Sequence, residues 1–403
     1  MRAFLINNNE VFDFKKLLTD VVNTNVFYPQ YRCNDLYRYF LNFIVALISN
    51  NPITLIDYDL TDSEMIRLNL KDINVLHPIE KITLNSIDQM LQKIEISSSN
   101  IILYTSGTTG QPKSIIHSVK TLTRALKKAN NHSNDIWGLA YNPTHIAGIQ
   151  VFLQALFNQN TIVNLFDKSR EEIFDAIQKH SITHLSATPT FYRLLLPYVK
   201  PYENIRNVSL GGEKSNQKLY DQLYRIFPKA KLNNIYASTE AGTLFVSHGE
   251  SFQIPSQFER FIVEKEGELF IHQSLVGSLE TKLEEFYATG DMIEWIDKEQ
   301  FIFRFTSRKN EMLNVGGYKI NPSEVENVLL QISEIKQVLV YCRPNSILGN
   351  ILCADVLLFN PTKISELEIR RFCIEHLQEF KVPRKIKLVN EISLTRTGKL
   401  RRQ

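Results

Sequence analysis

The chain has 403 residues, 43% of them hydrophobic and 22% charged, the make-up of a globular protein with room for more than one structural unit. A formal net charge of +3 leaves no strong electrostatic footprint for nucleic acid or anionic lipid, and the apolar run Phe40 to Ser49 is too short to span a bilayer. Cys33, Cys342, Cys353 and Cys373 form no CxxC pair and have no histidine at metal spacing, so neither a zinc site nor a disulfide framework is expected. The early residues are partly acidic and contain no apolar run ending in small residues, so no signal peptide is expected and a cytoplasmic setting is.

The first hundred residues read as a small α/β region. Met1 to Ile6 and Ile53 to Leu60 have strand character, and Asp35 to Ile48 carries apolar residues at helical spacing. A polar break, Ser97 to Asn100, precedes the strand Ile101 to Tyr104. From there to about residue 305 helical candidates (Thr121 to Ala129, Arg170 to Lys179, Gln217 to Ile226) alternate with strand candidates (Thr161 to Leu165, His184 to Ala187, Val208 to Leu210, Asn234 to Tyr236). Such alternation implies an α/β fold with mostly parallel sheets covered by helices.

Residues 261–273 read as a hairpin and Phe301 to Phe305 as a further strand. Beyond Arg308 the pattern becomes a compact α+β unit. Pro322 to Leu330 reads as a helix with Ser323 and Glu326 as a capping pair; Lys336 to Cys342 and Ala354 to Leu358 read as strands, and Ser365 to His376 as a helix. The expected division is a large domain over 1–307, with 1–100 as its N-terminal subdomain, and a small C-terminal domain over 308–403.

The most informative stretch follows the strand at 101–104. Thr105, Ser106, Gly107, Thr108, Thr109 and Gly110 combine hydroxyls with glycines, giving a backbone that wraps phosphate oxygens, and Lys113 adds a cation for charge that shifts during phosphate displacement. The spacing is not Walker A, because Gln111 and Pro112 separate the last glycine from the lysine. YTSGTTGQPK resembles the phosphate-loop signature of the adenylate-forming superfamily, which comprises acyl-CoA synthetases, adenylation domains and firefly-type luciferases.

Further segments resemble that family's motifs in the family's order. Leu210-Gly211-Gly212-Glu213 is similar to its adenine-side loop. Tyr236-Ala237-Ser238-Thr239-Glu240 is similar to its Tyr-Gly-x-Thr-Glu motif, with alanine in place of glycine. The resemblance gives Tyr236 a stacking role on adenine, Thr239 a phosphate contact and Glu240 the Mg²⁺. A carboxylate suits a hard cation that bridges phosphates, although an isolated Thr-Glu pair is more often a helix start. Asp291 in Thr289-Gly-Asp resembles the aspartate that binds ribose hydroxyls, and Arg308 the arginine near the interdomain hinge. Ser307-Arg-Lys-Asn310 departs from the usual Gly-Arg-x-Asp at that hinge.

Residues 314–326, NVGGYKINPSEVE, look like the acyl-CoA ligase segment that lines the thiol tunnel, with Gly316 and Gly317 leaving room for a pantetheine arm. Thr395 to Lys399 resembles the Thr-x-x-Gly-Lys element whose lysine enters the active site for adenylation. A mobile cation there neutralises the attacking carboxylate and the transition state.

Asn142 to Gly148 resembles the floor of the family's carboxylate pocket, with His145 at the gate position and Gly211 and Gly242 on other walls. That segment contains no aspartate to pair an ammonium, which favours an acid other than an amino acid. The resemblance thus implies ATP-dependent activation of a small-molecule carboxylic acid, followed by transfer to coenzyme A. The phosphopantetheine of an acyl carrier protein is the alternative acceptor. Retention of Lys113, Glu240, Asp291, Arg308 and Lys399 argues against a non-catalytic relative. The region before the phosphate loop is shorter than this family usually has, which predicts an unusual acid pocket or apolar surface covered by a second copy or a partner protein.

Overall fold

The structure is a computed structural model that describes residues 2–105, 113–128, 132–198, 200–279, 284–315, 318–345, 349–360 and 363–393; the side chains of Thr105 and Lys113 lie outside that description. Three larger sheets and one short pair (Val26–Phe27 with His77–Pro78) are found before residue 309 among the described residues. The largest has eight strands, and its six inner neighbours (Ala3–Asn7, Thr161–Asn164, Ile136–Leu139, His184–Ala187, Asn207–Gly211 and Lys231–Ser238) run parallel. Antiparallel strands Glu10–Asp13 and Gly242–Ser247 close its two edges. The α/β class therefore holds.

A second sheet carries Ile101–Thr105 and Lys113–His117 as an antiparallel pair, with Thr105 opposite Lys113, so both ends of the phosphate loop lie side by side. The third sheet is antiparallel and contains Phe286–Asp297 and Ile302–Arg308.

Helices sit where their end signals put them. Asp35 caps Leu36–Ile48 and Ser169 caps Arg170–Lys179 with a reciprocal bond to Glu172. The helix expected over 121–129 is instead Val119–Thr123, because Ser118 rather than a later residue supplies the cap. Ile146–Phe157 is a helix that periodicity does not reveal. It is apolar on nearly every side and buried on most, so no polar stripe marks its turn. Gly148 is required in it: a Cβ there would stand 2.1 Å from the Asn142 carbonyl oxygen.

The C-terminal residues have an apolar core of their own, from Ile320 through Ile386. A three-stranded sheet (Ile335–Asn345, Gly349–Leu358, Lys385–Val389) carries the helices Pro322–Leu329 and Glu366–His376. The expected pair Ser323 and Glu326 does not cap the first of these. Pro322 occupies the first helical position, which moves the cap to Asn321, whose side chain accepts from the Ser323 N–H at 3.0 Å. Glu326 is buried and accepts from the Val340 N–H of the adjoining strand at 2.9 Å. Among the described residues no helix is long and apolar enough to cross a membrane.

Candidate active site

Two cavities lie along the parallel strands: the first at their C-terminal ends, where α/β sheets place their ligands, and the second reaching back from there to His184, Asn207 and Lys231 at the strand starts. The first, of about 270 Å³, is lined by Gly212, Glu213, Tyr236, Ala237, Asp291 and Arg308 together with C-terminal residues such as Asn327 and Gln337. The second, of about 320 Å³, runs along one face of the large sheet beneath the helix Ile146–Phe157 and contains His145 and Gly211. They share Gly212, Ile235 and Ala237. Residues assigned from sequence to the nucleotide and to the acid thus line adjoining spaces. Gly212 turns the chain between them at a φ of +84°, a left-handed conformation that favours glycine.

Asp291 is the centre of the first cavity. It sits inside the strand Phe286–Asp297 rather than in a turn, and it is buried. Tyr236 Oη donates to one carboxylate oxygen and Arg308 Nε to the other, both at 2.7 Å. Burial opposes the Arg308 charge, but the neighbouring Asp291 outweighs it and raises the guanidinium pKa. Burial, then Asp291, pushes the Tyr236 phenol well above its ordinary value. The Tyr236 ring is stacked on Phe305 at 4.4 Å and on Phe245 at 5.5 Å. An adenine meeting that ring would therefore share it with protein aromatics. Glu213 does not point free into solvent: Thr190 donates to it from its N–H at 3.0 Å and its hydroxyl at 2.7 Å.

The segment Thr239-Glu240-Ala241 is held by three consecutive carbonyls. His117 Nε2 donates to the Thr239 carbonyl at 2.7 Å, the Gly277 N–H to that of Glu240 at 2.7 Å, and Arg124 Nη2 to that of Ala241. Arg124 Nη1 also donates to the Leu275 carbonyl. His117 is buried, and desolvation lowers its pKa, so it acts as a neutral donor through Nε2. These contacts tie Glu240 to the strand that leaves the phosphate loop. The Glu240 side chain bonds the Tyr287 hydroxyl, and burial followed by Glu240 raises that phenol.

In the second cavity His145 stands at the start of the helix Ile146–Phe157 and contributes no side-chain cap. Its Nε2 donates instead to Asp57 at 3.2 Å, beside hydrogen bonds to the same carboxylate from Asn142 at 3.0 Å and from Thr144. Burial alone would raise the Asp57 pKa; the bonds from His145, Thr144 and Asn142 outweigh it and hold the carboxylate below its usual range. An aspartate thus does reach this segment, but from residue 57, and it is already occupied. Gly242 begins an edge strand, against Gln150 of the cavity wall.

Ser106, Gly107, Thr108, Thr109, Gly110, Gly316, Gly317 and Lys399 lie outside the described residues. Asp57, His117 and Arg124 escaped the sequence reading because each acts through a partner more than fifty residues away; the one local sign was a histidine directly ending the strand after the phosphate loop.

The AMP-binding enzyme family matches residues 59–261, half of the chain, and the AMP-binding enzyme C-terminal domain matches 324–399. The chain belongs to the AMP-binding enzyme family. The chain is therefore an adenylate-forming superfamily member. The 2-succinylbenzoate–CoA ligase of Listeria monocytogenes serotype 4b (strain F2365) is 24% identical to this AMP-binding enzyme, over 89% of its chain and 82% of the relative. The o-succinylbenzoate CoA synthetase of Bacillus subtilis shares its fold. The complex of that protein with an acyl-adenylate intermediate superposes with a TM-score of 0.72 at 18% identity, over 99% of this chain and 94% of the other. The complex of the same protein with ATP and magnesium gives 0.70 at 18% identity, over 99% and 95%.

Proposed function

We infer that this AMP-binding enzyme is an AMP-forming acid–thiol ligase acting on a small carboxylic acid, ATP and coenzyme A. The observation that carries the reading is the junction of the two cavities at Gly212, Ile235 and Ala237, which would let an acid in one meet a nucleotide in the other. In the first step a carboxylate oxygen of the acid attacks the α-phosphorus, the bond to the β-phosphate breaks, and pyrophosphate leaves. In the second a thiolate sulfur attacks the acyl carbon, the bond to the phosphate oxygen breaks, and AMP leaves. Holding both reactants in line converts a bimolecular encounter into a unimolecular step.

Asp291 would accept the ribose hydroxyls with the lone pairs that Tyr236 and Arg308 leave open. Lys113 and the loop Thr105 to Gly110 would hold the phosphates. The donor set suits a hard divalent cation: Glu240 offers a carboxylate on a segment whose backbone is pinned on three carbonyls. Mg²⁺ held there would offset the phosphate charge. Lys399 would enter for the first step, and Gly316 and Gly317 would line the path of the thiol. We place the division between the moving parts at residues 307 and 308, at the last residue of the strand Ile302–Arg308.

Product analysis tests the reading. Purified protein with ATP, magnesium, coenzyme A and its acid should release AMP and pyrophosphate and form a thioester. Release of ADP and phosphate would refute it. Thioester formed on a carrier protein but not on coenzyme A would replace the acceptor and leave the first step standing.

A further inference from the structure

The inner strands of the large sheet have one face that packs and one that does not. Leu185, Ala187, Val208, Leu210 and Leu232 belong to the apolar core under the helices Arg170–Lys179 and Gln217–Ile226. The alternate residues, His184, Ser186, Asn207, Ser209, Lys231 and Asn233, line the second cavity. Parallel strands covered on both faces are ordinarily apolar throughout. Here that face borders the cavity, which Ala147, Gln150, Val151 and Gln154 of the helix Ile146–Phe157 also line; Asn207, Ser209 and Asn233 are half-buried and Lys231 is exposed. A ligand that displaces water from these polar groups must hydrogen-bond them or lose free energy.

Strand register orders these residues into rows. Gly211 pairs with Ile235 beside the nucleotide cavity. Ser186, Ser209 and Asn233 form the next row, and His184, Asn207 and Lys231 the one beyond. At the rise of a β-strand the two polar rows lie about 7 Å and about 13 Å from the Gly211–Ile235 row.

The far row is partly satisfied. Asn207 Nδ2 donates to His184 Nε2 at 2.9 Å, and His184 Nδ1 bonds the Thr183 hydroxyl at 2.8 Å. Burial lowers the pKa of that imidazole to about 4, so it stays neutral. In the middle row Ser186 bonds Tyr141, whereas the Ser209 hydroxyl and the Asn233 amide have no hydrogen-bond partner among the described residues. None of the described lining residues is acidic, while Lys127 and Lys231 stand at the cavity's edge.

We propose that the acid carries oxygen acceptors one to two rows along this face, as a hydroxyl, carbonyl or second carboxylate, in place of a hydrocarbon tail. The proposal rests on the reading that this cavity holds the acid. It gives the serine and asparagine side chains that face this cavity a partner to bond.

Calorimetric binding to the purified protein saturated with AMP, kept separate from any assay of turnover, tests it. Octanoate is compared with its terminal-hydroxyl and terminal-carboxylate counterparts. The polar-ended acids should bind at least about tenfold more tightly, and Ser209→Val or Asn233→Leu should reduce that ratio several-fold while octanoate binds no worse. Ser209→Ala is the milder variant should the larger side chain prevent folding. A preference for the carboxylate end over the hydroxyl end assigns a role to Lys231. Equal or tighter binding of octanoate, a ratio unmoved by the variants, or no binding by any of the three overturns the proposal. Selective binding without acid-dependent chemistry upholds this proposal and sinks the ligase reading instead.

Discussion

The two cavities are neighbours that differ in how far their polar groups are tied to other protein groups. Around the first cavity the polar groups are already wired to one another: Asp291 to Tyr236 and Arg308, and Glu213 to Thr190. Along the acid cavity, Ser209 and Asn233 face the space with no such partner, and the polar side chains come from separate strands. A site for a constant ligand can be prepaid in hydrogen bonds that hold its shape. A site for a particular acid leaves its donors open for that acid to satisfy.

The largest effect expected concerns Lys399, proposed above as the cation of the first step. Lys399→Ala should lower acid adenylation by roughly a hundredfold or more, the range of losing one charge-stabilising group, yet leave thiolysis of supplied acyl-AMP within a few-fold. Stopped-flow measurement of the two half-reactions decides this; equal loss of both would refute the domain movement. Next comes Asp291→Ala, which strands the Tyr236 hydroxyl and the Arg308 guanidinium at a cost of about 1–3 kcal/mol. KM for ATP should rise roughly tenfold or more with KM for the acid nearly unmoved, and a parallel rise in both would erase the distinction between the cavities.

A smaller change should follow His117→Leu. The half-saturating magnesium concentration should rise several-fold while the melting temperature moves little, and His117→Gln, which keeps a donor near the Nε2 position, should restore it. Restoration of neither, with a large loss of melting temperature, would leave His117 a packing residue only. The smallest effect belongs to Asp57 on the acid side. Its folded pKa is depressed, so its stabilising contribution is complete above the ordinary carboxylate pKa of about 4 and is lost as pH falls through the lower folded value. Asp57→Asn should therefore be thermally less stable than the parent at neutral pH, with the gap closing as pH falls below about 4. A gap that widens on acidification would contradict this.

The same contrast explains what could be read from the sequence. The stretches Tyr104 to Lys113, Tyr236 to Glu240 and Thr289 to Asp291 are each continuous in sequence, so local pattern identifies them. The α/β alternation was equally visible, since Arg170–Lys179 and Gln217–Ile226 carry clear helical periods. The acid cavity was not visible as a unit. Its rows exist only once Ser186, Ser209 and Asn233 are brought into register, and its roof is a helix too uniformly apolar to show a period. Asp57 was hidden for the same reason: nothing near it in the chain announces that His145 will dock against it. The capping pair at Ser323 and Glu326 misled because one proline shifted the helix start.

Acid-dependent exchange of labelled pyrophosphate into ATP tests the central claim most directly. With magnesium present and thiol omitted, exchange should require an acid, be strongest for one with a polar far end, and vanish in Lys399→Ala. Absence of exchange with every acid shown to bind, or exchange that proceeds equally without any acid, would contradict the account.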